Sequence, residues 1–426
     1  MFFCVHLWQV VDSWLAAANG CIFSPMRTPL ALLLAAAPLL AQQPGRQTDA
    51  DAYTRYELLA PGSAKFRIIY EITATTPGAT AYYNPIRMGS TASDESVIDR
   101  ATGKPLAFTE VDAAEARGGG VRVANDAQRY IKVTLTRPVP ADGGEQRVLI
   151  LKTYMDTASY FMRGDTIVFK RGLGINRNAV VLPASYELVS STFPAQVLQE
   201  KNGRVGISFW NNAPSEAAVT MKAVPLKSPL SAAPARPAAL ASRLDERSHQ
   251  NREIVYFLQQ PETHAFDLYH DYTESRPGKS TYVNVVRPGS TVTNPSALNL
   301  DTGEKLAFEV LKGAAITRAG LDVDNLTAET EVVVTRFAPV KPGISTRLRM
   351  FETYTDPARY GVVGGELQWD RSFGRPFNSV VLPAGWVLTN SSIPATVSTR
   401  ADGRVQLDFI NGRNDEVAVL VTARRR

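Results

Sequence analysis

Cysteine is almost missing from these 426 residues: Cys4 and Cys21 are the only two, and both stand in an N-terminal leader. Removal of that leader leaves a chain without a thiol, which excludes a disulfide framework and any cysteine–zinc site. Histidine is nearly as scarce, at four residues. His6 is in the leader, His249 lies in a linker, and His264 and His270 are close to Glu262 and Asp271. On one strand the last two would share a face about 20 Å apart, too far to hold one ion without a bend. No metal site is expected, and no cofactor is implied.

Catalytic signatures are missing as well. There is no GxSxG elbow, and no cysteine nucleophile survives leader removal. Gly118-Gly119-Gly120 has no Lys-Ser/Thr pair behind it, so it reads as a flexible hairpin tip and not as a phosphate loop. Charge of one sign is not concentrated anywhere in the body. The net charge is +5 with 20% charged residues, and the densest basic run is the terminal Arg424-Arg425-Arg426, a solvated tail. Nucleic-acid binding needs a clustered stripe or a recognisable motif, and neither is present. Past Gln42 there is no apolar run near the ~20 residues of a membrane span.

The leader itself has the parts of a secretory signal peptide. Met26-Arg27-Thr28 opens a positively charged segment, Pro29 to Leu40 is apolar, and cleavage is expected between Ala41 and Gln42. Residues 1–25 carry Asp12 but no Lys or Arg. Met26 is therefore the expected true start, within a leader spanning 1–41. The body is expected to be exported, periplasmic or extracellular.

What the chain does have is self-similarity. NAVVLPA at Asn178–Ala184 returns as NSVVLPA at Asn378–Ala384, 200 positions later. Tyr82, Asn84, Arg87, Gly89, Ser90 and Thr91 fall on Tyr282, Asn284, Arg287, Gly289, Ser290 and Thr291 at the same offset. Tyr154, Asp156 and Tyr160 fall on Tyr354, Asp356 and Tyr360. The register slips by one near Thr136-Arg137 and recovers at Gly143 and Gly343. Such a period far exceeds the 20–50 residues of solenoid units, so each copy is a domain. The boundaries implied are 51–224, a Pro/Ala-rich linker over 225–250, and 251–424. A short helix is expected over Leu240–Arg247 in that linker.

Within a copy the hydrophobic period is two. Ile131, Val133 and Leu135 alternate with polar neighbours, as do Val205, Ile207 and Phe209. Asn202-Gly203 and Asp402-Gly403 precede alternating runs, where a tight hairpin needs positive φ. The fold class is all-β: two tandem β-sandwich domains with short strands and no long helix. In NAVVLPA the Asn reads as a turn exit, Val-Val-Leu as a buried strand and Pro-Ala as its end.

Thr102-Gly103 and Leu106-Ala107-Phe108 follow an extended segment, and a run of strands leads to VVLPASYELVSSTFPAQV and NGRVGISFWN. This order resembles the N-terminal β-sandwich that precedes the catalytic domain in zinc aminopeptidases, over most of each copy. The chain has neither the HExxH zinc helix nor a GxMEN-type segment. The resemblance therefore implies the accessory sandwich alone, without the peptidase.

Candidate binding residues come from the repeated polar set. They are Asn84, Arg87, Tyr154, Tyr160, Arg171 and Arg204, with copies Asn284, Arg287, Tyr354, Tyr360, Arg371 and Arg404; Asn178 and Asn378 recur beside them. Forked Arg donors with Tyr and Asn suit an anionic sugar or a peptide carboxylate. The same residues equally suit strand ends and turns, because shared ancestry keeps folding residues too. Among carboxylates, Glu71 matches Asp271 and Asp156 matches Asp356. Glycosidases need a facing pair about 5–10 Å apart. In Asp356-Pro357-Ala358-Arg359-Tyr360 the Asp reads as a helix N-cap.

These features favour a secreted, non-catalytic double sandwich that binds an envelope protein or glycan of a bacterial cell. The alternatives are an enzyme acting on polysaccharide through Tyr, Arg and Asn in a surface groove, and a purely structural spacer. No nucleic-acid partner and no membrane span after signal cleavage are expected. Nothing in the sequence specifies an oligomeric state.

Overall fold

Alternation of buried and exposed side chains dictates the local structure of nearly every element in the computed structural model. It describes residues 46–141, 144–213, 215–227 and 245–426. The signal peptide, the Met26 start and most of the linker lie outside them. Strand β2 (Lys65–Ala74) buries Phe66, Ile68, Tyr70 and Ile72 on one face, and β14 (Ala217–Pro225) buries Ala217, Val219, Met221 and Ala223. Side chains two apart share a face, so each strand carries one apolar edge to a common interior. The chain is all-β, with two short α-helices, α1 (Ala113–Gly118) and α2 (Ala314–Arg318), and a 3-10 turn at Pro261–Thr263 among the described residues.

In the first half, the largest sheet is centred on β1 (Asp49–Leu58). Its neighbours are β2 and, in parallel, β10 (Arg177–Val181). β13 (Val205–Trp210) and β12 (Gln196–Gln199) extend it on the β10 side. On the β2 side it continues through β7 (Gln146–Met155) and β4 (Thr91–Asp99). A four-stranded sheet runs β11 (Tyr186–Ser191), β14, β9 (Thr166–Leu173) and β8 (Tyr160–Arg163). Tyr56, Phe66, Ile150 and Val180 from the first sheet meet Ile167, Phe169, Val219 and Met221 from the second in one core. A three-stranded sheet joins β3 (Ala81–Ile86), β6 (Arg129–Thr134) and β5 (Phe108–Val111).

The second half pairs its strands in the corresponding order. β15 (Arg252–Leu258) lies between β16 (Ala265–Glu274) and, in parallel, β25 (Phe377–Val381). β16 in turn pairs with β22 (Thr346–Thr355), and β25 with β28 (Val405–Ile410). Tyr56 faces Val180 across the first parallel pair, and Tyr256 faces Val380 across the second. A four-stranded sheet again supplies the opposite wall, through β24 (Glu366–Phe373) and β29 (Val417–Arg425).

Several local expectations are corrected. Asn178 and Asn378 are not turn exits: both lie inside central strands, buried, and donate to the Ile175 and Arg375 carbonyls. The Gly118–Gly120 stretch closes α1, with Gly119 as its C-cap and Gly120 at φ 89°. Asp156 and Asp356 cap no helix, since a single turn returns the chain to strand at Tyr160 and at Tyr360. Of the linker helix only Asp245–Arg247 is described; Asp245 and Glu246 are irregular and Arg247 is in a turn. His264 precedes β16 in a left-handed conformation, so only His270 is on that strand.

Buried charge crosses between the halves. Arg147 on β7 donates to Asp301 at 2.5 and 2.8 Å and to Ser345 at 2.9 and 2.7 Å. Arg347 on β22 donates to Glu145 at 3.0 Å, Asp51 at 2.8 Å and Asp271 at 3.3 Å. Burial pushes the Glu145 carboxyl up to about 6 against the opposing charge of Arg347. The indole of Trp210 stacks on Phe377 at 5.7 Å, with 10° between the rings.

Candidate functional site

Position 84 is on β3, 152 and 154 are on β7, and 171 is on β9, so three sheets bring their side chains to one place. Asn84, Arg87, Lys152, Tyr154 and Arg171 line a cavity of about 680 Å³. Alternation on β7 points Ile150, Lys152 and Tyr154 to the same side, which carries a lysine onto an otherwise apolar face. Lys152 is only 4% exposed and donates to the Asn84 side-chain carbonyl at 2.5 Å. Its ammonium is 4.9 Å from the centre of the Tyr154 ring. Burial pushes this ammonium down to about 7, with the charge of Arg171 adding to the effect.

Arg87 follows β3; its backbone N–H donates to the Tyr154 hydroxyl at 3.3 Å and its guanidinium to the Gly172 carbonyl at 3.0 Å. Arg171 is held by Asp156 at 3.0 Å and Ser159 at 3.2 Å. Desolvation would raise Asp156, but hydrogen bonds from Ser159 and Ser90 and the charge of Arg171 hold it below its usual value. Burial pushes Tyr154 up to about 12.

The second half builds a corresponding cavity of about 350 Å³ from Asn284, Arg287, Tyr354 and Arg371. Asn284 is on β17 (Thr281–Val285), Tyr354 on β22 and Arg371 on β24. Where the first half has Lys152, this one has Glu352, 3% exposed. Its carboxylate accepts from the Asn284 amide at 3.0 and 2.8 Å, and the Tyr354 hydroxyl accepts from the same amide at 3.1 Å. Burial pushes Glu352 up to about 7, against the Asn284 hydrogen bond and the Arg375 charge. His270 faces the cavity beside Arg375 at 2.8 Å, and burial and that charge push it well down.

Four predicted residues in each half thus converge, and two in each do not. Tyr160 is in the core and donates to the Leu59 carbonyl at 2.9 Å; Tyr360 donates to Gln259. Arg204 binds the carbonyls of Leu182 at 2.8 Å and Leu58 at 3.2 Å. Arg404 pairs with Asp402 at 2.9 Å. Those four join strands and turns to one another. Lys152 and Glu352 escaped the sequence reading because a search for identical repeat positions passes over them. The signal was a charged residue at an inward position between Ile150 and Tyr154, and between Met350 and Tyr354.

Among the described residues, no group of three or more His, Asp or Glu side chains is placed to hold a metal ion. No helix there is long and apolar enough to cross a membrane.

No protein-family model matches the chain, and no curated protein does. Solved structures of zinc metallopeptidases resemble part of it. An M1 zinc metallopeptidase from Deinococcus radiodurans is 12% identical over 41% of this chain and 41% of its own, with a TM-score of 0.28. An aminopeptidase N family protein from Idiomarina loihiensis is 9% identical over 40% of this chain and 29% of its own, at 0.26. The chain thus spans about two fifths or less of the length of these structures. The likeness is weak and partial.

Proposed function

We propose that this chain is an exported, non-catalytic double β-sandwich whose two clefts bind a small polar ligand or the polar end of a larger one. The sandwiches would occupy residues 51–224 and 251–424, joined by the segment 225–250. The observation that carries the reading is the double convergence: Asn84, Arg87, Tyr154 and Arg171 line one cleft, and Asn284, Arg287, Tyr354 and Arg371 line another. Buried polar side chains that serve folding alone are normally consumed by protein partners. Here the Asn, Tyr and Arg side chains have protein partners and also line open cavities, as ligand sites do. An export signal in the leader would place the protein at the cell envelope, where glycans and peptide ends are the available polymers.

Calorimetric titration of the purified chain with neutral and acidic sugars and short peptides tests this. We expect saturable binding that is lost in an Arg87→Ala, Arg287→Ala double variant that melts like the parent. No panel member binding better than about 1 mM would overturn the reading. Release of reducing ends from an oligosaccharide would overturn its non-catalytic part.

A further inference from the structure

We propose that the first cleft is a site for a carboxylate-bearing ligand, whose head group is taken by Lys152 and Tyr154, and that the second cleft is not. This rests on the reading that the clefts bind ligands, and it assigns the ligand class.

An ammonium has three N–H donors. One of those on Lys152 goes to the Asn84 carbonyl, and among the described residues no carboxylate forms an ion pair with it, although the charge of Glu95 acts on it from outside the cavity lining. The Tyr154 hydroxyl accepts from the Arg87 backbone, and among the described residues no protein acceptor takes its own hydrogen. Asp49 and Glu216 line the same cavity, and neither forms an ion pair with Lys152. Asp49 accepts from Tyr82 at 2.9 Å, and Glu216 lies against Gly172. Arg171 is already neutralised by Asp156. What remains is one buried cation with donors to spare, facing a cavity of about 680 Å³. A buried charge is costly until it is paired. A ligand carboxylate would offer a negative charge and acceptor oxygens to those spare donors.

The second half shows the same frame with the demand removed. Lys152 faces Ile68 across β2 and β7, and Glu352 faces Leu268 across β16 and β22. Asparagine serves both states because it carries a donor and an acceptor on one side chain. Asn84 turns its carbonyl to the lysine; Asn284 turns its amide to the glutamate. Glu352 thus occupies the place of a ligand carboxylate and opposes a second one. The walls of the first cleft present hydroxyls and amides, including Tyr82, Tyr154, Asn84 and Gln128, which suits a polyhydroxylated acid such as a uronic sugar.

The test is calorimetry on the full chain at pH 6.5 with D-galacturonate, D-galactose, inorganic phosphate and the dipeptide Ala-Ala. We expect one galacturonate per chain, with galactose, lacking the carboxylate, weaker by about tenfold or more. Lys152→Gln and Tyr154→Phe, each checked by its melting curve, are expected to weaken galacturonate by about tenfold or more. Binding of Ala-Ala that is lost in Lys152→Gln also supports a carboxylate site, with a peptide end as its source. Two galacturonates per chain, phosphate binding more tightly than either carboxylate, or an unchanged Lys152→Gln would overturn the proposal. If galactose alone binds and Arg87→Ala abolishes it, the carboxylate assignment falls and the cleft reading stands. If no probe binds, both fall.

Discussion

Arg147 and Arg347 occupy the same register, opposite Thr73 on β2 and Thr273 on β16, and each reaches across to an acid of the other half. Arg147 takes Asp301, and Arg347 takes Glu145 and Asp51. The bonds are reciprocal, but the acids are not equivalent residues. Repeated arginines have therefore been fitted to different partners at a shared junction.

Breaking that junction should be expensive. Arg347→Ala leaves Glu145 buried without its cation, while Asp271 keeps Arg349, and we expect a loss of about 3–5 kcal/mol by denaturant unfolding. An Arg147→Ala, Arg347→Ala double variant should also separate one calorimetric transition into two, as the halves lose their coupling. A single unshifted transition would contradict the view that these pairs couple the halves.

Asp356 holds Arg371 at 2.8 Å and is fully enclosed. Asp356→Ala strands that guanidinium, and the expected destabilisation is again about 3–5 kcal/mol. Asp156→Ala should act in the same direction through Arg171. Equal stability of variant and parent in urea would show that these acids are dispensable to the fold.

The reading of those aspartates shows how far local sequence goes. Asp356-Pro357-Ala358-Arg359-Tyr360 suggested a helix N-cap; no helix is there, but Asp156 does accept from the Ala158 and Ser159 amides at 3.0 and 2.9 Å, as a cap would. The helix that should follow does not form, because Tyr160 is pulled into β8 by pairing with Phe169 and by core burial. Tertiary packing overrode a local preference worth about 1 kcal/mol.

Lys152 and Glu352 should respond to pH in opposite senses. The folded pKa of Lys152 lies below its ordinary value, so its penalty is full below about 7 and fades as pH rises toward 10.5. Lys152→Met should therefore stabilise by roughly 1–3 kcal/mol at pH 6 and by less at pH 9. Glu352 is raised, so its penalty is absent below about 4.5 and full above about 7. Glu352→Gln should stabilise at pH 8 and have little effect at pH 4. The groups facing Lys152 are Arg171, Glu95, Asn84 and Tyr154; those facing Glu352 are Asn284, Tyr354 and Arg375. Urea unfolding at four pH values would show the two trends; parallel trends would rule out burial as their common cause.

Trp210 and Phe377 stack in the same junction, on β13 and β25. Trp210→Ala should cost about 0.5–1.5 kcal/mol beyond the lost burial. A cycle with Phe377→Ala measures the coupling directly, and zero coupling would dismiss the stack as incidental.

The sequence by itself determined the strands and the 200-residue recurrence, because both are written in local order: alternation sets which side chains share a face. It also put forward Asn, Arg and Tyr as the polar residues worth placing. Only the tertiary structure decided which of them meet. Asn84 and Arg171 are 87 positions apart, and their convergence depends on how three sheets stack, which no short window encodes. The charge at the base of each cleft was legible as a residue type but not as a role. Lys152 and Glu352 matter through the partners that burial denies them or supplies, and burial is a property of the packed chain.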